Sequence, residues 1–469
     1  MFILKKFRTK SKYYIYDSNT NNIIDVAKEI YENLEFLLKK NRAKDFCEPN
    51  YKIILSAINE GVLGAVNDLK MEYPFSDEEY LEKLKDSIQQ LVLCTTENCN
   101  LRCKYCVYSG GYQVGRVHTF RHMSFATMKS AIDFYYKHSS NAKMHTISFY
   151  GGEPLLNIER IKKATAYANT LFKTVNFIIS TNGILLGNDF IKWFVENNNV
   201  MIIVSLDSPK EVHDTYRIDK NGNATYEKII KNISNIPSGV LKKRVRFQSV
   251  YANDDDLEKM IQYYNINNHI IPMSLTSVEK DSASSEILHV IKHSDLNVKA
   301  ARKKYKKMLQ EYINKRPNSE ENIYKDIFDN NFRSIHFRSM DKIGSMKLFS
   351  GICIPFVRKL FIDIDGNIAP CEKADYLNNF GNIKTGFDVS KIKELLSVFY
   401  EIMNKRCRKC WASRFCYFCH IYLYTGAKID INLVNEKCKK IRRYIKQDLI
   451  NYCSIREKNN HFFDFLIDK

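Results

Sequence analysis

Residues 90–106, QLVLCTTENCNLRCKYC, decide the fold. The apolar run Gln90–Cys94 reads as a short strand. It leads into a loop carrying Cys99, Cys103 and Cys106 in C-x3-C-x2-C spacing. Three thiolates this close do not complete a tetrahedral zinc site. They can hold three irons of a [4Fe–4S] cube and leave the fourth open to a substrate or cofactor. On spacing alone, a chance cluster or a zinc loop with a distant fourth ligand is the alternative.

Working outward, residues 88–277 alternate short apolar strands with helical patterns. The strands are Gln90–Cys94, Thr146–Tyr150, Asn176–Ser180, Met201–Leu206, Val245–Tyr251 and Ile271–Leu275; the helices lie near 124–138, 157–172, 188–197, 225–234 and 256–265. Such alternation predicts an α/β fold with a parallel sheet, whose chemistry gathers at the carboxyl ends of the strands. Ahead of it, Tyr13–Tyr16 and Ile23–Asp25 flank a polar turn, Asp17–Asn22, as in a hairpin. Val26, Ile30, Leu34, Leu37 and Leu38 then share a helical face, and short helices are expected over 49–59 and 77–86. A hairpin followed by short helices is winged-helix-like. Residues 280–345 are polar, basic and helical, without a strand signal, and read as a linker or as covering helices. From about 351 cysteines recur. The expected units are 1–85, 86–280, 281–345 and 346–469.

Over 469 residues the composition is 45% apolar and 27% charged, which suits a globular protein rather than a disordered one. No apolar run reaches the ~18 residues of a membrane span. Lys5, Lys6, Arg8 and Lys10 interrupt the N-terminus at once, so no secretory segment is expected and a cytoplasmic setting is. There the 13 cysteines point to metal or redox work rather than to disulfides. The net charge of +19 favours a polyanion or an acidic peptide as partner, with plain compositional bias as the alternative.

The downstream motifs narrow this. With Tyr105 before its last cysteine, the triad resembles the signature of the radical S-adenosylmethionine (SAM) superfamily. Tyr150-Gly151-Gly152-Glu153-Pro154, after the second strand, is similar to the family's glycine-rich motif for the SAM amino group. The resemblance implies that the glycines let backbone approach the ligand and that Glu153 offers a carboxylate to the ammonium. Ser180-Thr181-Asn182-Gly183 ends the third strand, where the family contacts the ribose, which gives Ser180 and Asn182 that role. Ser205 and Arg217 correspond to the pair that meets the SAM carboxylate. An ordinary polar residue at a strand end is the alternative for each.

Cys353-x12-Gly366-x4-Cys371, followed by Cys407-x2-Cys410-x5-Cys416-x2-Cys419 and Cys438, resembles the SPASM domain of peptide- and protein-modifying radical SAM enzymes. The last spacing departs from it, since many members have three intervening residues. Carried over, Cys353, Cys371 and Cys419 would bind one auxiliary cluster, and Cys407, Cys410, Cys416 and Cys438 a second. Zinc is the alternative for the second set. The first set then lacks a fourth cysteine, and an open iron there could take a substrate thiolate. Glu372 stands where related sulfatase-maturing enzymes carry a catalytic Asp; a surface glutamate is the other reading. Cys47, Cys94 and Cys453 are expected to be buried, inert thiols.

The resemblance thus implies a partial (β/α)6 radical SAM barrel, a winged-helix-like leader-recognition domain and a cysteine-rich SPASM domain. The stretches Cys106–Gly110 and Val204–Asp214 look most like enzymes that install thioether crosslinks in ribosomal peptides. The partners would be a precursor peptide with a leader and an electron donor such as flavodoxin or ferredoxin, with no membrane and no nucleic acid. Alternatives are a sulfatase-type maturase oxidising Cys or Ser, a radical SAM enzyme acting on RNA, and a metal-binding regulator without activity.

Overall fold

The computed structural model describes residues 1–39, 49–66, 70–71, 75–112, 117–267, 272–278, 283–291, 298–315, 324–341, 346–347, 353–374, 380–425 and 428–467. The chain opens with an antiparallel sheet of three strands, β1 (Leu4–Arg8), β2 (Tyr13–Asp17) and β3 (Asn22–Val26), in that order. The expected hairpin is β2–β3; β1 is an addition. Helices α1 (Lys28–Lys39), α2 (Pro49–Asn59) and α3 (Asp77–Asp86) follow, the last begun by a Ser76–Glu79 capping box. Ile15, Ile30, Leu34, Ile54 and Leu63 form a small core separate from the main one.

Six parallel strands come next: β4 (Gln90–Thr96), β5 (Thr146–Gly151), β6 (Asn176–Thr181), β7 (Val200–Ser205), β8 (Val245–Tyr251) and β9 (Pro272–Ser277). They pair as neighbours in chain order. Between them run α4 (Phe125–Lys137), α5 (Ile158–Leu171), α6 (Asn188–Glu196), α7 (Lys210–Tyr216), α8 (Tyr226–Ser234), α9 (Ser238–Arg244) and α10 (Asp254–Ile266). Helices cover the sheet, so runs such as Leu91–Cys94 are buried at every position rather than alternating. The sheet crosses the expected unit boundary at 346. β10 (Leu360–Ile362) joins β4 in parallel, and β11 (Ile368–Ala369) turns back on it through Gly366, whose φ of +86° needs a glycine.

The segment read as a linker or as covering helices is packed against the end of the chain. Helices α11 (Ser285–Ile291), α12 (Val298–Lys315) and α13 (Asn330–His336) lie here; Tyr312 of α12 and Phe332 of α13 are buried, and their rings pack tilted against Phe462 and Phe463 respectively, from beyond the last helix. Two more helices, α14 (Val389–Cys407) and α15 (Ile431–Arg456), carry the cysteine-rich region. Cys94 and Cys453 are buried, as expected; Cys47 lies outside the described residues. Among the described residues no helix is long and apolar enough to cross a membrane.

Candidate active site

A cavity of about 470 Å³ opens at the carboxyl ends of the parallel strands, within the size range of small-molecule sites. Cys99, Cys103 and Cys106 line it, with Tyr105, Gly151, Gly152, Ser180, Asn182, Ser205 and Arg217. Of the residues expected to meet SAM, only Glu153 is absent from the wall. The C-terminal region lines it as well, through Glu372, Lys373, Ile421, Tyr422, Tyr424, Leu433 and Lys437.

The triad loop is held by its backbone. Arg102 N donates to Ile218 O (2.7 Å), Lys104 N to Tyr216 O (2.9 Å) and Cys106 N to Cys103 O (3.0 Å). Burial pushes the Cys99 thiol up to about 11 and the Cys103 thiol up to about 12, so without a bound cation these sulfurs keep their protons at neutral pH. The two glycines serve this loop. Gly152 N donates to Thr96 O and Glu153 N to Asn98 O, both at 2.8 Å. A Cβ on Gly151 would meet Thr96 O at 2.2 Å, and one on Gly152 would meet Asn98 O at 2.1 Å. The close backbone approach expected toward a ligand is, in these directions, an approach to the chain's own triad loop.

Glu153 is fully buried. Its Oε1 accepts from Leu155 N (3.0 Å) and Thr181 Oγ1 (2.8 Å), and its Oε2 from Asn182 N (2.7 Å). Burial pushes its carboxyl up to about 7. It stands behind the wall and ties the end of β5 to the end of β6. Asn182, which it positions, turns its amide toward Asn100 Oδ1 (2.7 Å) and Cys99 Sγ (3.8 Å).

Arg217 is held by a partner to which the sequence assigns no role. Buried Asp207 accepts from Arg217 Nε (2.8 Å) and Nη2 (3.3 Å), from Val250 N (2.8 Å) and from the Tyr105 hydroxyl. Nη1 reaches to 3.9 Å from Cys103 Sγ. His118 was also missed. Its Nε2 lies 3.6 Å from Cys106 Sγ and its Nδ1 3.2 Å from Glu97 O, in a polar loop without a motif to mark it.

The C-terminal cysteines gather in two neighbourhoods. Burial raises the Cys353 and Cys371 thiols, the latter to about 12, and proximity of Cys419 adds to both. Burial raises Cys407 too, followed by the proximity of Cys410, Cys416 and Cys438. Glu372 Oε1 accepts from Lys359 Nζ (2.6 Å), while its Oε2 is buried with no hydrogen bond among the described residues. His420 Nδ1 lies 3.8 Å from Cys419 Sγ. Among the described residues no three Cys, His, Asp or Glu side chains converge tightly enough for a single metal ion.

Residues 93–263 match the family model of the Radical SAM superfamily. The cysteine-type anaerobic sulfatase-maturating enzyme of Clostridium novyi is 32% identical over 151 residues, 31% of this chain and 40% of that protein. The serine-type enzyme of Bacteroides thetaiotaomicron is 30% identical over 177 residues, 37% of this chain and 41% of that protein. The chain thus spans about two fifths of the length of these curated relatives. In fold, it is similar to native anSMEcpe with bound AdoMet and Cp18Cys peptide, with a TM-score of 0.53 at 17% identity, covering 81% of this chain and 99% of that one. The likeness to the radical SAM superfamily thus lies in the domain that contains the triad and its cavity, residues 93–263.

Proposed function

We propose that the protein is a radical SAM enzyme that modifies a ribosomally made, cysteine-rich peptide and closes thioether crosslinks in it. One observation carries this reading: a single cavity is lined both by the triad and by Glu372 and Lys373, directly after Cys371. A substrate thiol held at the first auxiliary set would therefore face the radical chemistry. In this reading 86–280 is a partial (β/α)6 barrel, 1–85 a winged-helix-like recognition domain, 281–345 a helical cover and 346–469 a SPASM domain. An electron donor of the flavodoxin or ferredoxin class completes the system.

The donors fit the groups they are assigned. Thiolates on separate irons of a cube stand farther apart than ligands of one ion, so three cysteines around an open cavity suit a cluster with one free iron. Bound iron would supply the positive charge that the buried thiols lack. Gly151, Gly152, Ser180, Asn182, Ser205 and Arg217 would hold SAM. Once bound, cluster and SAM supply a 5′-deoxyadenosyl radical that removes hydrogen from a peptide carbon. The chain's own part is position and dryness. Asp207 fixes the Arg217 fork before any ligand arrives, and Leu101, Val250, Val278, Ile421 and Leu433 give the cavity apolar walls.

In this reading Glu372 takes the substrate's proton, supported by the buried Oε2 that has no hydrogen bond among the described residues. Glu372→Gln should lower product about 100-fold while deoxyadenosine formation continues, as loss of a general base predicts. Quantifying both products by mass spectrometry checks this, and an unchanged product yield assigns Glu372 to the wall only.

Among the described residues β3 is an edge strand, where a leader peptide would add as a further strand. Ile24→Pro in β3 should weaken leader binding about tenfold, as loss of one or two main-chain hydrogen bonds of ~1 kcal/mol each implies. Fluorescence anisotropy with a labelled leader measures it. Unchanged affinity would move recognition away from this edge.

The sequence relatives favour a second reading, sulfatase-type oxidation of a Cys or Ser in a protein. The two part on product. A crosslinked peptide loses hydrogen and gains a bond to sulfur, whereas sulfatase-type maturation leaves an aldehyde that hydrazide reagents capture.

A further inference from the structure

The turn between β2 and β3 is polar, yet residues Asp17–Asn21 are buried. A buried turn needs partners for its backbone and side chains. Part of them is local: Asp17 accepts from Asn19 N and Gly64 N, and Thr20 Oγ1 donates to Val62 O. Others come from far along the chain: Arg338 Nε donates to Asn21 O (2.7 Å) and Asn21 Nδ2 to Ser339 O (2.8 Å), and the five residues between Cys410 and Cys416 hold Ser18 and Asn19. Arg414 Nε donates to Ser18 O (2.9 Å) and its Nη2 to Asn19 O (3.0 Å). Ser413 Oγ lies 3.5 Å from Ser18 Oγ, the Phe415 ring 5.3 Å from the Tyr16 ring, and Lys5 Nζ 5.3 Å from the Trp411 ring.

This clasp has little regular structure of its own. Between the two cysteines lies a single short 3-10 turn, Ser413–Phe415, held by Ser413 N and Oγ on Cys410 O. Both ends of the loop are thiols of the second auxiliary set. A metal group pinning Cys410 and Cys416 would fix the loop's ends and so its shape.

We propose that the metal group held by Cys407, Cys410, Cys416 and Cys438 is the seat of the N-terminal unit: it sets the 411–415 loop that clasps the β2–β3 turn, and Arg414 is the positioning residue of that clasp. This rests on the metal assignment made above for these four cysteines. Loss of the metal then loosens the N-terminal unit, and a leader bound at β3 is no longer held in register with the cavity.

Hydrogen exchange of the full-length, metal-loaded protein tests it, with residues 13–26 as the readout, β5–β7 as the folding control, and iron and zinc counted alongside. Cys438 sits on α15, outside the 411–415 loop. Cys438→Ala should lose the metal of its set and raise exchange over 13–26 about tenfold or more, with β5–β7 unchanged. Arg414→Gln should raise exchange over 13–26 with full metal and unchanged SAM cleavage. Metal lost but 13–26 still protected overturns the proposal and leaves the assignment standing; a full metal count in Cys438→Ala overturns both. Unchanged exchange in Arg414→Gln removes the clasp. Should Cys438→Ala unfold, stripping metal from the wild type with ferricyanide and EDTA gives the same comparison, and protection of 13–26 that outlasts all metal refutes the proposal.

Discussion

Replacing Cys99, Cys103 and Cys106 together by Ala should abolish SAM cleavage and remove about four of roughly twelve iron atoms per chain, the count for three four-iron clusters. The triad loop is anchored through backbone groups of residues 96, 98, 102 and 104, none of which needs a thiol. The fold should therefore survive, with circular dichroism and exchange of β5–β7 like the wild type. Both C-terminal cysteine sets keep their ligands, so about two thirds of the iron should stay. Anaerobic reconstitution followed by iron counting and deoxyadenosine assay measures the two effects separately. Residual cleavage above the no-enzyme rate would refute the assignment of the triad. Stoichiometric zinc in active protein would refute the auxiliary clusters.

Gly152→Ala should be nearly as damaging without touching a single ligand. The added methyl would lie 2.1 Å from Asn98 O, a backbone atom next to Cys99 and already accepting from Glu153 N. Backbone cannot swing aside as a flexible side chain does, so the triad loop must lift from the end of β5. A shift of about 1 Å in a reacting group costs on the order of 100-fold. SAM cleavage should fall at least that far, and iron at the triad should become easier to lose. Gly187→Ala is the matched control, because nothing lies within 4 Å of its Cβ position. Equal activity in both variants would show that the loop has room.

What the sequence disclosed was local or periodic. The six core strands and the five expected helices lay within a residue or two of expectation, because buried parallel strands are continuous apolar runs and the helices are amphipathic, whereas the short helices α7 and α9 were not expected. Cavity residues on motifs at strand ends were legible for the same reason: topology alone places strand ends together. Glu153 was not, since whether a carboxylate faces a cavity or its own neighbours depends on Thr181 and Asn182, a strand away. Asp207 and His118 act through Arg217 and Cys106, partners that no spacing rule connects. β1 has Lys5 and Lys6 where an apolar strand would be expected, and pairing with β2 makes it a strand nonetheless. The buried Asp17–Asn21 turn reads as solvent-facing until Arg414, nearly four hundred positions later, is in place.

The pairing of β10 with β4 has a consequence during synthesis. Leu360 meets Leu91 and Ile362 meets Leu93, so one margin of the central sheet waits for roughly 270 more residues to be made. At ~5–20 residues per second a ribosome takes on the order of tens of seconds to deliver them. For that interval the strand leading into the triad presents unpaired amides and carbonyls, a template for pairing with another chain. A nascent protein in this state calls for a chaperone at the exit tunnel. Insertion of iron before residue 362 emerges would meet an unfinished sheet, so cluster delivery is best timed to follow release.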